Sequence, residues 1–186
     1  MRWSGVVVVA ALVVAASVVT GCGSAPALET PPSSAPPTYP VPPGTARPDE
    51  KVLHLPTTSD GDTAFTLVGL TTGMSTLIGS HAEFEARGRF ARVRLSVVNT
   101  GRSTVSFNAR RHLMVDDKAV EHPVDTQAMT VKRQPEVIDL GANVRLEYDV
   151  YYDLPVDAKP LALKVYGGPT LTDLKDASST EILLSQ

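Results

Sequence analysis

One cysteine, Cys22, is all that this chain of 186 residues contains. No intrachain disulfide is available, so any folded core must rest on packing alone. Metal-binding spacings are also missing. His54, His81, His112 and His122 form no closely spaced pair such as His-x-His, which leaves the common histidine-based zinc patterns unfilled. No serine lies in a Gly-x-Ser-x-Gly elbow and no glycine-rich phosphate loop occurs. Basic residues are in deficit, 17 Lys and Arg against 20 Asp and Glu, for a formal net charge of −3. That balance argues against nucleic acid as a partner and against a polybasic grip on anionic lipid. No internal repeat is detectable, and no cofactor is expected.

What the chain does have begins at its N-terminus. Arg2 precedes an apolar run over residues 5–19 that is dense in Val, Ala and Leu, and Val19-Thr20-Gly21-Cys22 closes it. A cationic start, an apolar core and small residues at a cut site are the parts of a secretory signal. The order aliphatic, small, glycine, cysteine resembles the lipobox of bacterial lipoprotein signal peptides. The resemblance implies a signal peptide over residues 1–21, cleavage between Gly21 and Cys22, and a diacylglycerol on the Cys22 thiol. Each buried CH₂ is worth about 0.8 kcal/mol, so one acyl chain holds marginally and two hold well. The implied address is extracytoplasmic, lipid-anchored to the cell membrane. An uncleaved signal anchor is the alternative, since no charge falls between Arg2 and Glu29 and about 18 apolar residues can span a bilayer. The apolar density stops at Val19, short of that length. Both readings leave the remainder outside the membrane. An acylated Cys22 leaves no thiol for catalysis or metal binding.

From residue 23 to residue 50 the composition changes, with nine of the chain's 15 prolines in 28 residues. Such a segment cannot bury enough surface to offset its ordering entropy. Residues 22–50 are therefore expected to be a lipidated, disordered Pro/Ser/Thr-rich tether. Proline favours polyproline II at about 3.1 Å per residue, giving a semi-rigid spacer of at most roughly 85 Å. Two Pro-x-x-Pro steps, Pro37 to Pro40 and Pro40 to Pro43, also fit proline recognition, but the composition favours a spacer. Residues 51–186 fit one domain of ordinary size.

Period-two alternation dominates that domain. Val144, Leu146, Tyr148, Val150, Tyr152 and Leu154 point one way; Arg145, Glu147, Asp149, Tyr151 and Asp153 point the other. This pattern predicts an antiparallel strand with one buried and one solvated face. Ala91, Val93, Leu95 and Val97 alternate likewise with Arg92, Arg94 and Ser96. Asn99-Thr100-Gly101 then breaks the run, with Gly101 expected at positive φ before a strand around Val105 and Phe107. Shorter strands are expected at residues 52–55, 64–70, 113–115, 161–166 and 181–184, whereas residues 74–78 and 129–132 fit either class. Seven or more short strands without helical periodicity predict an all-β chain, an immunoglobulin-like antiparallel β-sandwich behind the tether. Its core would rest on Val, Leu, Phe65, Phe90 and Phe107.

The residues Gly88, Phe90, Val93, Leu95, Val97, Asn99 and Gly101 follow one another at a spacing similar to a stretch of a bacterial extracytoplasmic family, domain of unknown function 4352. Later landmarks keep the family's order. Leu113-Met114-Val115-Asp116-Asp117 resembles its strand and turn, Leu140-Gly141 the second half of its Pro-Gly turn, and Val150-Tyr151-Tyr152-Asp153-Leu154-Pro155 its strand end. Lys118-Ala119 stands where the family usually has Gly, and Asp139-Leu140-Gly141 lacks the Pro. The resemblance covers roughly residues 62–184. It implies an immunoglobulin-like sandwich, often on a lipoprotein with a Pro/Ser/Thr-rich linker in Gram-positive and actinobacterial envelopes. The family has no established catalytic residues, so no chemistry is carried over.

Few candidate sites remain. His81, Glu83 and Glu85 alternate and would suit a divalent ion on one strand face, although a polar edge strand is the more ordinary reading. Asp60-Gly61-Asp62 and Asp116-Asp117 read as turns rather than calcium loops. Arg92 and Arg94 lie on the polar face of one strand; Glu147, Asp149 and Asp153 flank Tyr151 on that of another. If the strands are neighbours, these are cross-strand charge pairs. If they are apart, Tyr151 among acids is a contact surface for protein or sugar. The expectation is an envelope lipoprotein, not an enzyme, presenting a binding domain to an envelope protein or a cell-wall glycan. The alternatives are an envelope hydrolase or metal-dependent enzyme with a pocket at His81, Glu83 or His112, or a small-ligand or lipid carrier with an apolar cavity.

Overall fold

The computed structural model describes residues 45–80, 82–171, 174 and 178–184. They belong to one compact unit, Pro42–Gln186; a second unit, Met1–Val41, lies outside the described residues, as do Gly21, Cys22 and His81. The strands are β1 (Lys51–Val52), β2 (Thr58–Asp60), β3 (Thr63–Ile78), β4 (Glu83–Asn99), β5 (Val105–Asn108), β6 (Leu113–Asp116), β7 (Glu121–Pro123), β8 (Val137–Leu140), β9 (Arg145–Leu154), β10 (Pro160–Val165) and β11 (Thr180–Leu183). One sheet runs β1-β3-β4-β9, with β2 also on β3; a second runs β11-β10-β6-β7; β5 and β8 form a third. Every strand pair is antiparallel. The chain is an all-β, immunoglobulin-like antiparallel β-sandwich.

The alternating residues build the core as the sequence pattern requires. Ala91 faces Tyr152, Val93 faces Val150, Leu95 faces Tyr148 and Val97 faces Leu146 across β4 and β9. Phe65 and Leu67 of β3 join them, and Met114, Leu163, Val165 and Ile182 enter from the second sheet. Each large apolar side chain so buried contributes about 1.5–3 kcal/mol. Phe107 of β5 closes one end, with ring centroids 6.3 Å from Phe65 and 5.4 Å from Tyr148. Asn99 ends β4 with its fully buried amide donating to the Leu140 and Ser103 carbonyls at 2.8 and 2.7 Å.

Several expectations shift. Residues 74–78 continue β3, so β3 and β4 form one hairpin of 16- and 17-residue strands, with register shifts near Gly69 and Met74. Residues 129–131 fall in a short helix, α1 (Thr126–Val131), capped by Asp125, whose Oδ1 accepts from the Ala128 N–H at 2.8 Å. Gly101 does not have positive φ. A Cβ there would lie 2.2 Å from Asp62 Oδ2 and 2.8 Å from its Cβ, so the exposed Asp62 side chain would have to move. In the turn after β6, Asp116 Oδ1 accepts from the Lys118 and Val120 N–H groups, and Ala119 holds the left-handed conformation (φ 61°) where a glycine would be free of strain. After β8, Asn143 takes that conformation (φ 60°) and Val144 N–H closes on the Gly141 carbonyl at 3.1 Å. The packed unit also begins before Lys51, because residues 45–50 lie against the first sheet.

Candidate functional site

Arg92 faces Tyr151, Arg94 faces Asp149, Ser96 faces Glu147 and Phe90 faces Asp153, so the two strands carrying the anticipated surface are direct neighbours. Much of their polar face is covered, although Arg145 and Glu147 at one end stay exposed. Arg94 is 3% exposed, Tyr151 2% and Asp149 6%. Neighbouring strands favour the cross-strand reading over an open contact surface: Arg94, Asp149 and Tyr151 are buried, Arg92 and Asp153 are half-buried, and Glu147 is exposed. The cover comes from α1, which packs against β9 and β3, and from residues 45–50.

That N-terminal strap is a built structure. Arg47-Pro48-Asp49-Glu50 forms a turn closed by Glu50 N–H on the Arg47 carbonyl at 3.2 Å. Pro48 presets the second position, and Asp49 takes φ 61° at the third, as a type II turn demands. The Glu50 side chain is fully buried. Its Oε2 lies 2.9 Å from Arg94 Nη2 and accepts from the Arg47 N–H at 3.1 Å; its Oε1 lies 3.6 Å from Arg92 Nη2. Arg47 Nη1 donates to Asp149 Oδ2 at 2.5 Å. Both terminal nitrogens of Arg94 donate to the Thr45 carbonyl at 3.2 Å, and Nη1 also lies 3.5 Å from Glu147 Oε1. Gly69 of β3 makes the space, since a Cβ there would sit 2.3 Å from Glu50 Cδ. Sequence reasoning missed the strap because Pro-rich composition masked it; the available signal was Arg-Pro-Asp-Glu, a proline turn with charges of both signs.

The strap's energetics are balanced rather than strongly favourable. Attraction between buried charges is offset by the cost of removing them from water. Four buried atoms lack a hydrogen-bond partner here: Glu50 Oε1, Arg92 Nε, Arg94 Nε and Asp149 Oδ1. Burial, and then the nearby Asp149 charge, pushes the Tyr151 phenol above its ordinary pKa.

Asp153 stands apart from this network. Its Oδ2 accepts from the Arg87 N–H at 2.8 Å and Nε at 3.0 Å, and its Oδ1 accepts from the Gly88 N–H at 3.0 Å. Burial opposes its charge, but these donors outweigh burial and hold the carboxyl below the usual range. With Arg87, His122, Leu154 and Val156 it lines an open groove of about 350 Å³. His122 Nε2 pairs with Asp116 Oδ2 at 2.9 Å beside it, and this hydrogen bond, more than any other contact, depresses the Asp116 carboxyl. A second groove, of about 390 Å³, lies between Ser106, Asp139, Pro169 and the exposed Leu171 and Leu174.

His112 lies in the core, fully buried between Phe65 and Phe107. Tyr166 N–H donates to its Nδ1 at 3.3 Å, which places the ring proton on Nε2, 2.9 Å from the Tyr148 hydroxyl. Burial, with a smaller contribution from Arg111, lowers its pKa to about 3. It is a neutral core group and lines neither of these grooves. Glu83 is exposed at the end of the long hairpin. Among the described residues no three His, Cys, Asp or Glu side chains cluster as metal ligands, and no helix is long and apolar enough to cross a membrane.

No family model and no curated protein matches this chain. Solved structures do. The yjhA protein from Bacillus subtilis superposes with a TM-score of 0.55 at 14% identity, covering 70% of this chain and 97% of that one. The secreted protein MPT63 from Mycobacterium tuberculosis gives 0.42 at 13% identity, over 60% and 82%. At these identities the first likeness supports the fold alone, and the second is too distant to add to it.

Proposed function

We propose that this chain is a membrane-anchored envelope lipoprotein that presents an immunoglobulin-like binding module to an envelope protein or a cell-wall glycan. The observation that carries the reading is Val19-Thr20-Gly21-Cys22, closing an apolar segment at the only cysteine of the chain. Support comes from the Pro-rich stretch after it and from the β-sandwich beyond, in which His112 serves the core. The module then acts outside the cytoplasmic membrane, held there by the diacylglyceryl group on Cys22, and it works by contact rather than by catalysis. In-cell crosslinking followed by co-purification, with Cys22→Ala alongside, tests this. The wild-type chain is expected to stay with the membrane fraction and to capture an envelope protein or peptidoglycan fragment. Capture of no envelope component, or full retention of membrane and partners by Cys22→Ala, would contradict it.

A further inference from the structure

The buried polar face under the strap has the construction of a peptide site with its occupant already in place. The occupant is a short segment, residues 45–50, ending in a proline turn, and it is held at three points. Its glutamate enters a slot between two arginines, its Arg47 meets Asp149, and its Thr45 carbonyl receives both terminal nitrogens of Arg94. Apart from the turn itself the strap adds almost nothing to the core. Thr45, Ala46, Pro48 and Asp49 are exposed, and no strap residue belongs to the apolar cluster. The receiving surface, by contrast, is built on paired strands. Arg92 and Arg94 stand on β4, Asp149 and Tyr151 on the edge strand β9 paired with it over ten residues, and Gly69 leaves the space that the carboxylate fills.

The geometry points to a carboxylate-recognising groove on β3, β4 and β9 that residues 45–50 occupy in cis. Its exchange ligand is an extended peptide carrying a glutamate three residues after an arginine. This rests on the binding-module reading and names the chemical class of partner. The complementarity is explicit: a cationic slot at Arg92 and Arg94, and an acidic one at Asp149 for the ligand's arginine. Charge pairs of this kind supply selectivity and register more than raw affinity, because desolvation offsets much of their attraction. A tethered occupant has the advantage of effective concentration, so a free peptide competes only when the strap is loosened.

The test uses the full chain and a synthetic peptide of residues 43–52, Pro-Gly-Thr-Ala-Arg-Pro-Asp-Glu-Lys-Val. In the double variant Arg47→Ser with Glu50→Gln, hydrogen exchange over residues 45–52 is expected to rise at least tenfold while β4 and β9 stay protected. That variant should bind the peptide with a measurable Kd, at least tenfold tighter than the same peptide with glutamine in place of its glutamate. The wild-type chain should bind neither. Unchanged protection of the strap in the double variant would overturn the inference, and so would absence of binding once the strap is loose. Equal binding of the two peptides would also overturn it. None of these outcomes bears on lipidation or on partner capture through another surface, so failure here is distinguishable from failure of the binding-module reading.

Discussion

Acid should weaken this fold through His112, by an amount that the structure sets. The ring is fully buried and its pKa falls from 6.5 to about 3, so the native state excludes a proton that the unfolded chain accepts. For a base with a depressed pKa, stability is complete above 6.5 and is lost as pH falls toward 3. The slope is about 1.36 kcal/mol per pH unit. Between pH 7 and pH 4.5 the loss comes to about 2.5 kcal/mol, a large part of the about 5–15 kcal/mol that holds a domain. His112→Gln keeps a donor for Tyr148 and an acceptor for the Tyr166 N–H while removing the titration. Urea unfolding followed by far-UV circular dichroism at both pH values gives the comparison. Asp116 and Asp153, whose carboxyls are lowered from 3.8, lose their contribution at lower pH and are common to both proteins. The wild type is expected to lose about 2.5 kcal/mol more than the variant across this interval. A difference below about 0.5 kcal/mol, or an NMR titration showing His112 ionising near its ordinary pKa, would refute the reasoning.

Two backbone positions give further expectations. Gly88→Ala would place a Cβ 2.0 Å from the Leu154 carbonyl oxygen, and since the obstacle is the backbone of β9 it should cost about 2–3 kcal/mol in a denaturant titration. Ala119→Gly relieves a left-handed alanine at φ 61° on an exposed turn. Against glycine's larger unfolded-state entropy the net gain is roughly 0.5 kcal/mol, seen as a small rise in Tm.

The inner half of the sandwich was legible because Ala91, Val93, Leu95 and Val97 each pair with an apolar residue of β9. The outer half was misread for a physical reason. Alternation reports the chemistry of a face, not what lies over it, and Arg94 and Asp149 are as buried as core residues because Glu50 and Arg47 of the strap pair with them. Their cover lies in a Pro-rich tract whose average composition signals disorder, yet Pro48 and Asp49 are there to make a turn. The strands β2, β7 and β8 have three or four residues each, too few for alternation to register. In α1 six residues span less than two turns, so its one readable signal was the cap at Asp125. His112 carries no pattern at all; only the fold places it beside Tyr148 and gives it a role in stability.

Everything proposed about location passes through one thiol, so the most direct test reads that atom. Cells expressing the full chain are fed an alkyne-bearing fatty acid, and the mature N-terminus is analysed by mass spectrometry. The account predicts a chain beginning at Cys22 with the label on it, and no label in Cys22→Ala. A mature chain that begins elsewhere, or an unmodified Cys22 in membrane-bound protein, would contradict it.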